Sequence, residues 1–168
     1  MKPFGLTRFV ATFGYVGLLP WCAGTFGALA ALPFGYLLHV LGGPWLLLAA
    51  ILLAYGVGYW AARVETFESD DLDPGEIVID EVAGQWIALL PVSAGLWFAG
   101  VPPHVFPWPG WVTAFLAFRL FDIWKPWPVS WADRRPGPAG VMLDDVIAGV
   151  MSGLVVMVLA ALAHGWLA

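Results

Sequence analysis

Residues 44–62, PWLLLAAILLAYGVGYWAA, contain no charged side chain and have the length of one membrane-spanning helix. A helix of about 20 apolar residues crosses the roughly 30 Å hydrocarbon layer of a bilayer. Two further stretches have the same character, residues 82–101 (VAGQWIALLPVSAGLWFAGV) and 146–168 (VIAGVMSGLVVMVLAALAHGWLA). Together the three stretches predict an all-α fold in a small membrane protein.

The composition of the whole chain supports this fold class, because 61% of its 168 residues are hydrophobic and only 11% are charged. The mean hydropathy of +0.82 is also that of a membrane protein. The length predicts one domain, residues 1–168. A net charge of −5 provides no basic surface, so nucleic acid is not an expected partner.

Two shorter apolar segments, residues 26–41 and 111–122, bring the expected number of apolar helices to four or five. Gly42-Gly43-Pro44 separates the first of them from the next, because glycine and proline interrupt helices. The expected helices are residues 26–41, 44–62, 82–101, 105–121 and 146–168. If successive helices alternate in direction, all seven Lys and Arg and all twelve Asp and Glu lie at the same end of the bundle. The positive-inside rule predicts that this charged end faces the cytoplasm.

Two segments at the charged end have the same pattern, VIDEVAGQW at residues 78–86 and MLDDVIAGVM at residues 142–151. Each has two adjacent acids and a valine ahead of an Ala-Gly pair and a long apolar run. We therefore expect Asp80–Glu81 and Asp144–Asp145 at helix N-termini, where the helix dipole stabilises anions. The Ala-Gly pairs permit close helix packing, which would bring the four carboxylates together.

Four adjacent carboxylates repel one another unless a cation lies between them. Ligands that are all oxygen suit Mg²⁺, Mn²⁺ or Ca²⁺. A zinc site is not expected, because the chain has one cysteine and its histidines fall at the opposite end, at His39, His104 and His164. In the alternative interpretation, Asp80 and Asp144 are simply helix N-caps.

The segment DIWKPWPVSWADRR, residues 122–135, concentrates charge and tryptophan in an otherwise apolar chain. Prolines on both sides of Trp127 stiffen it. A rigid loop with cations beside a carboxylate–metal site is suited to binding a phosphate. Alternatively, Arg134 and Arg135 serve only as positive-inside residues. The free N–H groups near Gly24-Thr25 form a second candidate phosphate contact, and the acidic connector at residues 65–76 is expected to be solvated.

Three stretches of the sequence resemble the phosphatidylglycerophosphatase A family: AGTFGALAALP (23–33), IVIDEVAGQWI (77–87) and FRLFDIWKPWPVSWADRRPGPAGVMLDDVIAGV (118–150). The resemblance implies a Mg²⁺-dependent lipid phosphatase that converts phosphatidylglycerol phosphate to phosphatidylglycerol and inorganic phosphate in phospholipid biosynthesis. It also implies a bacterial inner-membrane protein in contact with membrane lipids, with its active site facing the cytoplasm. Ala23 and Ala28 depart from the family pattern, which has Pro and Ser there.

The resemblance also assigns roles to individual residues. The implied metal ligands are Asp80, Glu81, Asp144 and Asp145. The implied catalytic residues are Asp80, Asp122, Lys125 and Asp133. The expected substrate-binding residues are Thr25, Arg119, Lys125 and Arg134. Two alternatives come from other classes: a small cation transporter that uses the carboxylates as its ion site, and a non-catalytic membrane assembly subunit.

Overall fold

The computed structural model describes residues 5–67 and 74–164, and the regular elements in these ranges are all helices. They are α1 (Leu6–Ala11), α2 (Ala23–Thr66), α3 (Ile79–Phe98), α4 (Trp108–Trp124), α5 (Val129–Asp133) and α6 (Pro138–His164), with a 3₁₀ turn at Val16–Leu18. The predicted all-α class is confirmed. Residues 68–73 of the acidic connector lie outside the described residues.

Helix α2 is interrupted at the Gly-Gly-Pro segment, as the sequence predicts. Gly42 (φ −158°, ψ 17°) and Gly43 (φ 60°, ψ −152°) both leave the helical conformation. A positive φ costs glycine little, because it has no Cβ. Gly43 packs against Trp97 near the end of α3, whereas Gly58 packs against Ile79 at its beginning. The chain therefore turns back at residues 42–43, and α2 consists of two antiparallel arms.

Helix α3 lies at the centre of the bundle, and small residues set the direction of its neighbours. The first arm of α2 runs parallel to it, since Gly27 meets Val78 and Gly35 meets Leu89. Helix α6 is also parallel to α3, whereas α4 is antiparallel to it. For α6, Gly149 contacts Gly84 and Gly153 contacts Pro91. For α4, Phe118 contacts Gly84 and Gly110 contacts Val92. The start of α3 thus lies at the same end of the bundle as the start of α2 and the end of α4.

Two helices, Ala23–Thr66 and Pro138–Ala163, are long and apolar enough to cross a membrane, judged by length and composition. Large apolar side chains on both are exposed, among them Leu52 and Leu53 on α2 and Leu154 on α6. Membrane crossing by all five apolar segments, and the cytoplasmic orientation of the charged end, remain predictions.

The contact between α3 and α6 depends on glycine at two facing positions. A Cβ at Gly149 would overlap the carbonyl oxygen of Gly84, whereas a Cβ at Gly95 would have no atom within 4 Å in the described structure. We expect Gly149→Ala to destabilise the protein by about 1–3 kcal/mol, the usual effect of overpacking a tight interface. Thermal unfolding in detergent measures the change.

Gly95→Ala is the matched control, because it adds the same methyl group to the same bundle in open space. It should be neutral or stabilise the protein by up to about 1 kcal/mol, since alanine favours the helix. Equal melting temperatures for the two variants would show that the α3–α6 approach is looser than described.

Candidate active site

Three carboxylates from two helices meet at the charged end of the bundle. Asp80 and Glu81 lie in the first turn of α3, and Asp145 approaches them from α6. One carboxylate oxygen from each lies within 4.8 Å of the other two. The close Gly84–Gly149 contact, one turn further along both helices, brings the two backbones near enough for this arrangement.

The expected position of the second acidic pair is wrong. Helix α6 begins at Pro138 and has no acid in its first turn, so Asp144 and Asp145 lie in the second turn rather than at the N-terminus. Proline is favoured in the first turn of a helix, because its missing N–H would have no partner there. The interpretation of Asp80 and Asp144 as N-caps is also wrong, since the N-cap of α3 is Val78 and Asp144 is inside α6.

Asp144 does not join the three-carboxylate group but binds the loop lysine. Lys125 Nζ donates a hydrogen bond to Asp144 Oδ2 at 2.8 Å and a second one to Asp133 Oδ1. Asp144 Oδ1 accepts the backbone N–H of Asp145 at 3.0 Å. The structure thus divides the four predicted metal ligands into a group of three and one lysine partner.

The backbone of the 122–135 loop places Lys125 in this position. Lys125 follows α4 in the left-handed region (φ 48°), which turns the chain sharply towards α5. Burial disfavours its charge, but the hydrogen bonds to Asp133 and Asp144 outweigh this effect and raise the pKa of Lys125. The ammonium group therefore stays charged beside the carboxylates.

Burial strongly affects the two acids of α3. Asp80 is only 6% exposed, and its Oδ1 accepts the Glu81 backbone N–H at 2.9 Å. Burial first, and then the charges of Glu81 and Asp145, raise the pKa of Asp80 well above its ordinary value. Burial likewise raises the pKa of Glu81. A cation between Asp80, Glu81 and Asp145 would reduce the repulsion among their carboxylates.

Helix α4 contributes Arg119 and Asp122 to the rim of this group. Arg119 Nη1 lies 2.5 Å from Asp122 Oδ2. Asp122 also lies beside Glu81 and Asp145, close enough to interact with both electrostatically. A Cβ at residue 24 would overlap Glu81 Oε1 and lie 3.4 Å from Arg119 Nη1, so the start of α2 closes onto the site.

The two remaining predicted substrate contacts lie further out. Thr25 is half-buried in the first turn of α2, next to Gly24. Arg134 is exposed directly after α5, and in the described part of the chain the ion pairs of this loop involve Lys125 and not Arg134. Its neighbour Arg135 stacks on the Trp131 ring, with its guanidinium carbon 3.9 Å from the ring centroid.

One buried polar residue close in sequence to the site was not singled out from the sequence. Gln85 is fully buried in α3, one helical turn beyond Glu81. Neither Gln85 Oε1 nor Gln85 Nε2 has a hydrogen-bond partner among the described residues. The signal in the sequence was the four-residue spacing from Glu81, which places both side chains on one helix face.

The residues present fit a hard divalent cation. Glu81 Oε2 and Asp145 Oδ1 are buried and have no hydrogen-bond partner within residues 5–67 and 74–164. Buried charged oxygens without partners are costly, and a cation held among these three carboxylates would offset their charge. Because all three ligands are carboxylates, the set suits Mg²⁺ better than zinc. With Arg119 beside Glu81 and Lys125 bound to the adjacent Asp144, such a site can bind a phosphate and activate water.

Comparison with known proteins gives consistent similarities. The chain matches the family model described as phosphatidylglycerophosphatase A over residues 9–160. It is 37% identical over 153 residues to phosphatidylglycerophosphatase A of Escherichia coli, covering 89% of this chain and 79% of that protein. Identity to the protein of the same name from Haemophilus influenzae is 33%, with coverages of 83% and 80%.

A third relative carries a different name. It is a Bacteroides thetaiotaomicron protein named as a candidate phosphatidylinositol-3-phosphatase, 36% identical over 94% of this chain and 95% of its own length. No solved structure matches this chain significantly.

Proposed function

Because this chain belongs to the phosphatidylglycerophosphatase A family, we propose that it is a Mg²⁺-dependent phosphatase that hydrolyses phosphatidylglycerol phosphate. The products are phosphatidylglycerol and inorganic phosphate. The observation that carries this proposal is the meeting of three carboxylates within 4.8 Å, with Arg119 acting on Glu81 and Lys125 bound to the adjacent Asp144. Helices and loops that are far apart in sequence converge on this group.

Asp80, Glu81 and Asp145 would hold the Mg²⁺ ion, which when bound neutralises negative charge on the phosphoryl oxygens. Lys125 and Arg119 bind the remaining phosphate oxygens and reduce their charge further. Asp144 and Asp133 hold the Lys125 ammonium at the edge of the site. The carboxylates thus have two separate tasks, cation binding and lysine positioning.

Hydrolysis follows from the position of Asp122. Its carboxylate, beside Glu81 and Asp145, orients a water molecule and accepts one of its protons. The water oxygen forms a bond to phosphorus as the bond from phosphorus to the glycerol oxygen breaks in line. The glycerol oxygen leaves and takes up a proton from solvent, while Asp122 returns its proton to solvent, which gives phosphatidylglycerol and inorganic phosphate.

The proposed substrate is a lipid, and the exposed surface of the protein is suited to a membrane. The long apolar helices α2 and α6 have exposed apolar surface that the bilayer would cover. Around the charged end, Trp124 and Trp127 are more than two-thirds exposed. Such tryptophans favour the membrane–water interface, so the acyl chains stay in the bilayer while the headgroup enters the site. By the positive-inside rule this end faces the cytoplasm, and the family resemblance implies that the membrane is the bacterial inner membrane.

Phosphate release from phosphatidylglycerol phosphate by the purified protein in detergent tests the proposal. We expect release with Mg²⁺, loss of release with excess EDTA, and recovery when Mg²⁺ is restored, since the buried carboxylates need a cation between them. Phosphatidylinositol 3-phosphate serves as the comparison substrate, because one relative is named for it.

Three outcomes would contradict parts of this proposal. Release that persists in EDTA would remove the cation from the mechanism. Faster release from phosphatidylinositol 3-phosphate would replace the substrate. No release from either lipid, together with Mg²⁺ flux into liposomes containing the protein, would favour the transporter alternative.

A further inference from the structure

The buried amide of Gln85 has no structural explanation within the helix bundle. Its side chain is fully buried, and neither amide atom has a hydrogen-bond partner among the described residues. A buried amide without partners destabilises a folded protein, and native proteins contain few of them. A leucine or methionine would fill the same volume without this penalty. The amide therefore has a task that the described contacts do not show.

The geometry of the helix directs Gln85 towards the carboxylate group. Residues four apart lie on the same face of a helix, so Gln85 and Glu81 are neighbours on α3. Long helical side chains also lean towards the N-terminus and cover the preceding turn. For Gln85 the preceding turn is the one that carries Asp80 and Glu81.

The atoms without partners on these two residues are complementary. Gln85 Nε2 is a buried N–H donor, and Glu81 Oε2 is a buried acceptor. Arg119 Nε is also a buried donor without a partner, and Gln85 Oε1 is a buried acceptor without one. Arg119 and Glu81 lie close to each other, since a Cβ added at Gly24 would come near both side chains. Gln85 thus has an unused donor for Glu81, its neighbour on the same face of α3.

We infer that Gln85 is a positioning residue of the cation site: when the cation is bound, the Gln85 amide donates an N–H to Glu81 Oε2, so that the other oxygen of Glu81 faces the cation. This role rests on the proposed function, because it needs a cation to be held by Asp80, Glu81 and Asp145. Hydrogen bonds from a second layer of residues fix the orientation of metal ligands, and their loss commonly weakens metal affinity about 10–100-fold.

The test compares Gln85→Met with the wild-type protein in a Mg²⁺ titration followed by thermal unfolding in detergent. Methionine keeps the length and nearly the volume of glutamine but cannot donate to Glu81. In EDTA, we expect the melting temperature of Gln85→Met to be equal to or higher than that of the wild type. The Mg²⁺ concentration that gives half of the thermal stabilisation should rise about 10–100-fold.

Ser152→Ala is the matched control, a second buried polar residue whose hydroxyl already has a partner in the Ala148 carbonyl oxygen on α6. It should leave the Mg²⁺ midpoint unchanged. An unchanged midpoint for Gln85→Met would overturn the inference. So would a lower melting temperature in EDTA for both Gln85→Met and Gln85→Leu, because the amide would then stabilise the cation-free fold.

The titration also separates this inference from the proposed function. A wild-type protein that shows neither Mg²⁺-dependent stabilisation nor phosphate release would contradict the proposed function itself. A wild type that shows both, beside a Gln85→Met protein with the same midpoint, contradicts only the positioning role.

Discussion

Replacing Asp145 with asparagine is expected to lower phosphate release at least about a thousandfold while the helix bundle stays folded. Asp145 is 3% exposed, and it is the one member of the three-carboxylate group that comes from α6. Asparagine has the same shape but removes the negative charge that the cation requires. Because the change also relieves repulsion from Asp80 and Glu81, the melting temperature in EDTA should stay the same or rise. Turnover with phosphatidylglycerol phosphate and thermal unfolding in EDTA measure the two effects.

Glu76→Gln is the control for Asp145→Asn, because it removes a carboxylate at the same end of the molecule without touching the site. Glu76 forms an exposed ion pair with Arg8, with 2.6 Å between Glu76 Oε2 and Arg8 Nη2. Surface pairs of this kind contribute about 0–1 kcal/mol, so activity should stay within about twofold. If Asp145→Asn were equally active, Asp145 would have no part in catalysis and the cation site would have to lie elsewhere.

Much of the fold was accessible from the sequence, because the apolar runs and their interruptions are local features. The break at Gly42-Gly43 depends on backbone conformations that glycine adopts at little cost, so the residues themselves indicate it. The Ala-Gly pairs likewise predict the close packing of α3 on α6, where Gly149 meets Gly84. The start of α6 was misplaced, because Gly137, Pro138 and Gly140 are residue types common in loops, yet the helix begins at Pro138.

The site was harder to predict from the sequence than the fold, because it depends on how each helix is rotated about its axis. Asp144 and Asp145 are adjacent and chemically identical, but neighbouring residues on a helix point about 100° apart. Asp145 therefore faces α3, whereas Asp144 faces Lys125. The overlap of residue 24 with Glu81 also arises from contacts between distant segments. No local pattern separates the two aspartates of α6 or connects α2 with the first turn of α3.

Replacing Lys125 with methionine is expected to lower both activity and stability. The ammonium group binds the proposed phosphate, so its loss should reduce turnover about 10²–10³-fold. It also leaves Asp144, whose side chain is 9% exposed, without a cationic partner. Breaking a fully buried ion pair lowers the free energy of unfolding by about 3–5 kcal/mol. Because Lys125 is partly exposed, we expect a smaller decrease, roughly 2 kcal/mol. Thermal unfolding should show a melting temperature about 4–8 °C lower.

A second substitution separates the two roles of Lys125. In Lys125→Met/Asp144→Asn, the pair becomes neutral on both sides, so most of the lost stability should return, whereas activity should stay low. Methionine is the appropriate replacement because it keeps the side-chain length and, unlike glycine, does not relax the left-handed backbone at residue 125 (φ 48°). A double variant as unstable as Lys125→Met would show that Lys125 stabilises the loop through Asp133 and not through Asp144. A double variant with wild-type turnover would show that the lysine holds Asp144 in place but does not bind the phosphate.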